Sequence, residues 1–371
     1  MFFLQNLTNW KNSVQTTLRK LLIKTISIDE LSKAQNLQKL SPISDQVTAT
    51  PEIKEMSLLS NSKHLIDENY SVPNIYSVTL TKVIYLSSRY NLFFTKSRKL
   101  IGDSLIYKNQ LKNIKKISLS GLYLKKPERL LGTYSIFRTY KSYKNYYHSL
   151  IDNIPRLYLL HQDEYKKIPE IKLLVSSELT KLEDYYLKKL LPENAKVFIV
   201  KPNNFYFLEK LIFPQLLTSY NAGYLPSEYL EFFMNKIKPN RERNKVNRIF
   251  ISRKNSRSRH ILNEDEILDR LAIHGFKKYF LEELSITEQI ELFYDADYVI
   301  GVHGAGLVNL IFASEINVLE IFSTSYVIPH YYYLAKSLNH TYKHWCCDSK
   351  GGKNTPSFIV DAEELLKKLN L

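Results

Sequence analysis

From residue 248 onward the sequence alternates between two periods, and this constrains the fold more than any other feature. Strand-like runs "RIFISRK" (248–254), "KKYFLEE" (277–283), "YVIG" (298–301), "VLEIF" (318–322) and "YKHWCC" (342–347) are separated by helix-period runs. Those runs are "NEDEILDRLAIHGF" (263–276), "TEQIELFYDA" (287–296), "LVNLIFA" (307–313) and "HYYYLAKSLN" (330–339), with "DAEELLKKLN" (361–370) closing the chain. Alternation at this spacing predicts an α/β fold with an open parallel sheet and helices on both faces. Asn263, with Glu266 three positions on, is placed to cap the first of these helices, and Gly275 to end it.

Ligands of such sheets bind at the carboxyl ends of the strands. Three of the chain's ten glycines, Gly301, Gly304 and Gly306, surround His303 at one such end. Glycine at a strand-to-helix turn lets backbone approach a ligand closely. The amides of the helix expected near Leu307 would attract an anion, with His303 facing the same crevice. The spacing matches neither a Walker loop nor G-x-G-x-x-G. A tight turn without a ligand is the plain alternative.

A second strand end carries "ISRKNSRSRH" (251–260). Ser252 and Arg253 close the strand, and Arg257 and Arg259 lie in the loop behind. Guanidinium forks match phosphate oxygens two at a time. Their placement at the same sheet edge as the glycine turn favours an anion site over a merely solvated loop. Glu320, a charge inside "VLEIF", stands where a carboxylate can accept hydrogen bonds from ribose hydroxyls, or make an edge salt bridge. Asp295 and Asp297 sit at the amino end of "YVIG", away from that edge, and read as turn chemistry rather than metal ligands.

The first half is less regular. "IKLLVSS" (171–177) and "AKVFIV" (195–200) are buried-strand patterns flanking the helical "LEDYYLKKLL", and "PSEYLEFFMNKI" (226–237) is a further helix with Pro226 near its start. In "NYYHSLIDNIPRLYLL" (145–160), His148 and Asp152 share a helix face. Pro155 disfavours helical geometry at Ile154, so a break is expected just after Asp152. A His–Asp pair held there could act as a general base with its orienting partner, or simply be structural. The charged stretch "KPNRERNKVN" (238–247) reads as an interdomain linker.

Residues 1–28 hold no acidic side chain; Phe3, Leu7, Trp10, Val14, Thr17 and Leu21 make an apolar stripe beside Lys11, Arg19, Lys20 and Lys24. Such a helix suits either an anionic membrane surface or packing on the protein itself. Residues 41–75 read as a linker. No apolar run is long enough to span a bilayer, and no secretory signal is recognised. The cysteines, Cys346 and Cys347, are adjacent and offer neither a disulfide framework nor zinc spacing, so a cytoplasmic setting is expected. A formal charge of +15 invites a nucleic-acid reading. Lysine is spread along the chain beside 27 tyrosines and abundant Asn and Ile, however, as in an A+T-rich coding sequence. Anionic small molecules or an acidic membrane face fit better.

Taken together, "NYYHSLIDNIPRL", "FISRKNSRSR", "ITEQIELFYDADYVIGVHGAGLVNLIFA" and "VLEIF" resemble, in that order, the family 61 glycosyltransferases. That family includes bacterial capsular-polysaccharide enzymes and related eukaryotic xylosyl- and N-acetylglucosaminyltransferases. The resemblance covers roughly residues 130 to 345, with H-G-A-G-L its most specific part. It implies a GT-B architecture of two Rossmann-like domains facing a central cleft, preceded here by an N-terminal helical segment. Residues 1–69 would be the amphipathic helix and linker, 70–237 the acceptor-side domain, and 238–371 the nucleotide-sugar-binding domain. The resemblance also implies inversion at the anomeric carbon, with a UDP-sugar donor favoured.

Carried over residue by residue, His303, Gly304, Ala305 and Gly306 match the diphosphate-contacting turn. Ser252, Arg253 and Arg259 match the strand-end basic motif. His148, Asp152 and Arg156 match an H-x-x-x-D-x-x-P-R element that would hold the base (Asp152, or His148) and support the acceptor (Arg156). Glu320 is expected on the ribose. Where the family commonly has a Pro-Gly turn after the apolar helix, this chain has "ASEINVLE", which implies a differently shaped loop. No metal or other cofactor is expected, because fixed cations would carry the diphosphate charge. The partners expected are a nucleotide-sugar and a glycan or glycolipid acceptor for surface polysaccharide synthesis, with peripheral membrane contact through residues 1–28 and no nucleic acid. The alternatives are a basic polyanion-binding protein without enzymatic activity, and a GT-B transferase using another donor.

Overall fold

The computed structural model describes residues 24–35, 37–40, 75–88, 90–105, 125–139, 144–218, 223–350 and 357–371. Most of the N-terminal amphipathic segment and of the linker expected over 41–75 lies outside the described residues. Among the described residues no helix is long and apolar enough to cross a membrane. The chain is a mixed α/β protein whose described residues divide into two compact units. One takes residues up to 42 with those of 75–144 and 152–216; the other takes 145–151 and residues from 217 onward.

The first unit is built on an eight-stranded sheet. Its elements are β1 (Thr25–Ile26), α1 (Ile28–Gln35), β2 (Ser77–Leu86), β3 (Leu92–Phe94), β4 (Leu100–Ile101), β5 (Glu128–Ile136), β6 (Ile171–Val175), α2 (Lys181–Leu190), β7 (Ala195–Ile199) and β8 (Phe205–Pro214). The strand order is β1-β4-β3-β2-β8-β5-β6-β7. Strands β8, β5, β6 and β7 run parallel, but β2 pairs antiparallel with both β3 and β8. The sheet is therefore mixed, and only its β8-to-β7 side has the parallel character expected of a Rossmann-like domain.

The physical reason is visible in β2 and β8. Each has apolar ends around an exposed polar pair, Thr81–Lys82 and Glu209–Lys210, with the same burial pattern along the strand. Lys82 has φ +56° and is left out of the β2–β8 pairing, while Thr81–Lys210 and Val83–Leu208 on either side keep one register. Inside, Tyr85 stacks on Phe93 at 4.7 Å, and Phe93 meets Phe213 edge-on at 6.3 Å.

Helix α2 starts at a capping box between Thr180 and Glu183. Fully buried Glu183 also takes a two-pronged pair from Arg138, with both N–O distances 2.7 Å.

In the second unit the elements are α3 (Ser227–Ile237), β9 (Asn247–Ile251), α4 (Glu264–Ala272), β10 (Phe276–Tyr279), α5 (Ile286–Tyr294), β11 (Ala296–Val302), a 3-10 helix (Ala305–Phe312), β12 (Asn317–Ser323), α6 (His330–Ser337), β13 (Thr341–Cys347), the short pair β14 (Ser349–Lys350) and β15 (Ser357–Phe358), and α7 (Ala362–Leu369). The five main strands are those expected from the sequence. All pair in parallel, in the order β10-β9-β11-β12-β13.

The chain leaves β9 toward β10 on one side and returns to β11 on the other. The topological switch point therefore lies between β9 and β11, where open α/β sheets bind ligands. Gly301 of β11 is level with Ile251 of β9, so both strands end at the same height. Helix α3 packs in this unit, its Phe233 stacked on Phe312 at 6.0 Å. The charged stretch 238–247 is also anchored here: Arg243 donates to the Phe312 carbonyl and lies over the Tyr294 ring.

Candidate active site

At the end of β9, Ser252 and Arg253 separate in role. Ser252 is buried; its amide donates to the Tyr279 carbonyl at 3.0 Å and its hydroxyl to Glu264 Oε1 at 2.7 Å. That hydroxyl ties the strand end to the first turn of α4, and it is not turned toward a ligand as the motif suggested. Arg253 goes the other way. Its guanidinium reaches Gly304, so closely that a Cβ added to Gly304 would overlap Arg253 Nη1. Its Nη2 donates to the Ser258 carbonyl at 3.4 Å, while its buried Nε has no partner.

Arg259 comes back from the same loop with φ +63° and sets its guanidinium 5.3 Å over the Tyr326 ring. Burial, and after it the nearby charge of Arg259, push Arg253 down to about 10. Two cations so close, one with an unbonded buried N–H, have the chemistry that an anion would satisfy. Arg257, by contrast, is exposed.

The three glycines of the turn do different things. Side chains at Gly301 and Gly306 would press on packed apolar neighbours: Leu307 Cδ2 and Ile251 Cβ at 3.2 and 3.3 Å, and Leu281 Cδ1 at 2.9 Å. These two let the helix pack against β9 and the segment after β10. Only Gly304 makes room for a functional side chain. The helix that follows is 3-10 rather than α and begins at Ala305, two residues before the start expected at Leu307. Leu307 N–H bonds to the Gly304 carbonyl at 3.1 Å, and Ala305 is exposed. The first amides of this turn have no partner inside the helix by construction. They stand beside Arg253.

Glu320 departs from the ribose-binding expectation, and His303 is its partner. Glu320 is fully buried, and neither of its oxygens is open to a ribose. Oε1 lies 2.5 Å from His303 Nδ1, and Oε2 accepts from the Tyr342 hydroxyl at 2.5 Å. Glu320 pairs with His344 of β13 on one side and with Gly301 on the other, deep in the sheet. That position is what turns it inward. The His303 ring, 5% exposed, stacks on Phe322 at 5.2 Å, with Tyr326, Tyr331 and His330 around it at 5.5, 5.4 and 6.2 Å.

Burial first, then the Arg259 and Arg253 charges, hold His303 well below its usual range. Burial raises Glu320 to about 8, against the opposing pull of Tyr342, His344 and Arg259. Both shifts favour the neutral forms, an imidazole beside a carboxylic acid.

The segment bearing His148 and Asp152 does not break after Asp152. It changes pitch instead: an α-turn (Tyr146–His148), a π-turn (Ser149–Asn153) and a 3-10 stretch (Ile154–His161) that accommodates Pro155 in its first turn. Single π-turns recur at functional sites. Asn145 caps the start, accepting from the His148 amide at 3.2 Å. His148 is half-buried, and Asp152 is 8% exposed. Arg156 is buried in the first unit, giving both Nε and Nη2 to the Pro214 carbonyl at 3.0 and 2.7 Å. Burial lowers it to about 9, with Asp152 pulling the other way. Its bonds serve the β8 end.

Several residues escaped sequence reasoning. Tyr147 stacks on His330 at 4.9 Å, which places the His148 segment next to the ring cluster around His303. Tyr146 donates to Asn309 Oδ1 at 2.5 Å, and Asn309 donates to Gln289. Asn309 carried a signal, being the one polar residue in "LVNLIFA". The tyrosines carried none, since 27 of them dilute any pattern. Asp295 is gripped by Arg241 at 2.8 and 2.9 Å and by the Asn244 amide, and Asp297 by Arg248 at 3.3 Å. Both aspartates brace the amino end of β11. The loop with "ASEINVLE" turns through a left-handed Glu315, φ +52°.

Residues 146–318 fit the family model described as Glycosyltransferase 61, a stretch that runs from the α-turn bearing His148 into β12. No curated protein matches the chain.

Proposed function

The chain belongs to glycosyltransferase family 61 and is a glycosyltransferase with a sugar donor and an acceptor as substrates; from that premise we propose that it moves a sugar from a nucleotide-diphosphate donor, a UDP-sugar favoured, to a hydroxyl of a glycan or glycolipid. The transfer inverts the anomeric carbon and needs no metal. The observation that carries this reading is the Arg253 guanidinium seated on Gly304, beside the first amides of the 3-10 helix and at the switch point of a parallel sheet.

As the sugar leaves, negative charge grows on the diphosphate. Fixed donors at Arg253, Arg259 and the amides of Ala305 and Gly306 then stabilise the transition state more than the bound substrate. Cations already in place take over the role a divalent ion plays elsewhere. Asp152, or His148 working with it, takes the proton from the acceptor hydroxyl in a single in-line displacement. The GT-B architecture belongs to the same reading, with the second unit as donor domain. So do a place in surface polysaccharide synthesis, work at the cytoplasmic face of a membrane, and peripheral contact through residues 1–28; the charge of +15 suits anionic lipid headgroups.

A thermal-shift screen against UDP-, GDP-, CMP- and dTDP-sugars tests the donor. The cognate donor raises Tm by mass action, and Arg253→Ala abolishes that rise. A rise that survives the substitution would place the diphosphate elsewhere.

A further inference from the structure

The resemblance sets His303 in the diphosphate-contacting turn but does not say in which protonation state it works. Around its ring the structure holds a closed set of partners. Nδ1 faces Glu320 Oε1 at 2.5 Å, Glu320 Oε2 receives the Tyr342 hydroxyl at 2.5 Å, and Nε2 makes no hydrogen bond among the described residues. Glu320 is fully enclosed, while the ring keeps slight exposure.

We propose that Glu320, held as a carboxylic acid and braced by Tyr342, is a positioning residue: it donates its proton to His303 Nδ1 and so locks the imidazole in the tautomer that presents Nε2–H to a phosphate oxygen of the donor. The contribution is selection between two neutral forms of one ring. With an ionised Glu320 the proton would sit on Nδ1, and Nε2 would offer a lone pair to an anion, which repels it.

The charges facing the pair disfavour an imidazolium, and the enclosure of Glu320, with no surface open to solvent, disfavours its carboxylate. Arg253 and Arg259 approach from the loop after β9 and oppose a protonated imidazole. Tyr326, His330 and Tyr331 ring it from the β12–α6 side. The Tyr342 hydroxyl, His344 of β13 and Arg259 favour ionisation of Glu320, yet burial outweighs them and the carboxyl is raised to about 8.

The inference rests on the proposed function only for the identity of the anion, so its first test needs no ligand. In protein labelled with 15N-histidine, with the His303 signals assigned from His303→Gln, the free enzyme at pH 7 is expected to show Nε2 protonated and Nδ1 bare. Above about pH 8 the Nδ1–H form should grow as Glu320 ionises. Tyr342→Phe should move that midpoint upward, because the hydroxyl it removes stabilises the carboxylate, a change that a merely structural role would not produce.

Glu320→Gln should keep the Nε2–H tautomer and make it independent of pH, since an amide can donate to Nδ1 while accepting from Tyr342. Inorganic pyrophosphate binding, measured by calorimetry at pH 7, should change little in Glu320→Gln. In Glu320→Leu it should weaken ~10-fold or more, the scale of a hydrogen bond to a charged group.

An Nδ1–H tautomer in the wild-type protein at pH 7, or loss of the Nε2–H form in Glu320→Gln, overturns the proposal. If the tautomer is as expected but wild-type protein ignores pyrophosphate, the diphosphate assignment of the turn falls and the role of Glu320 in setting the imidazole stands.

Discussion

Arg253 lies against the α-carbon of Gly304, so that the absence of a side chain at one residue is the seat for the charge of another. Gly304 itself is in an extended conformation, φ 179°, open to any residue. The requirement for glycine is therefore steric and comes from Arg253. Gly304→Ala is expected to fold normally, because the atom it strikes is the far end of a flexible side chain, but to push the guanidinium off the turn. Displacement of a charge-stabilising group by about an ångström costs on the order of 100-fold in turnover. The check is kcat at saturating donor alongside Tm. Loss of Tm rather than of kcat would show that the glycine serves packing instead.

Arg253→Ala should lower transfer by roughly two orders of magnitude, the scale of removing one strong charge-stabilising donor. Arg253→Lys should recover only part of it, since an ammonium cannot span two oxygens. Combined with Gly304→Ala, the arginine variant should show little further loss, because both changes remove the same contact. Additive losses in steady-state kinetics would separate the two residues.

Stability should fall as pH rises from about 6.5 to about 8. Glu320 is raised in the folded protein, so over this range the unfolded chain has lost a proton that the native state still holds, and stability declines with pH. His303 is depressed and works in the opposite sense. Its contribution grows with pH but is complete once the free imidazole has titrated near 6.5. Below about 6.5 the two oppose each other, so Glu320→Gln should flatten the upper window and unmask a rise of stability with pH in the lower one. Chemical denaturation at intervals from pH 5.5 to 8.5 measures both, and an unchanged slope in the variant would assign the titration to another group.

Arg156 is expected to matter for folding before catalysis. Removing it leaves the buried Pro214 carbonyl without its two donors, a loss of about 1–3 kcal/mol. Arg156→Met should lower the denaturation midpoint by that amount, with kcat per folded molecule within a few-fold of wild type. A normal midpoint with collapsed kcat would return Arg156 to the acceptor.

A chelator should leave transfer unchanged. Asp295→Asn should weaken the fold instead, because the Asp295 carboxyl is held below its usual range chiefly by hydrogen bonds from Arg241. Loss of activity on chelation, restored by a divalent ion, would reopen Asp295 and Asp297 as ligands.

The strands of the five-stranded sheet in the second unit were legible in the sequence, although Asn263 does not cap α4 through its side chain and the helix after the glycine turn is 3-10. Parallel strands buried on both faces are short apolar runs, and β11 is buried at nearly every position. Edge placement of Arg253 and the glycine turn followed from strand ends alone. The mixed sheet of the first unit was not legible, because β2 and β8 carry polar pairs in mid-strand that break the alternation. Glu320 was misread for a related reason. A strand-period pattern says a residue lies in a sheet, but not that its neighbours across two strands, His303 and Tyr342, will consume both its oxygens. Such pairings cross sequence separations of 17 and 22 residues, where local periodicity is silent.

The four letters H-G-A-G and the surroundings that decide how their histidine behaves are encoded in different stretches of chain. Phe322, Tyr326, His330, Tyr331 and Tyr342 all follow the turn, and the two arginines precede it. A homologue could therefore keep the motif intact yet change the chemistry of its imidazole through one tyrosine some forty residues downstream. Inspection of the motif alone would score that chain as equivalent.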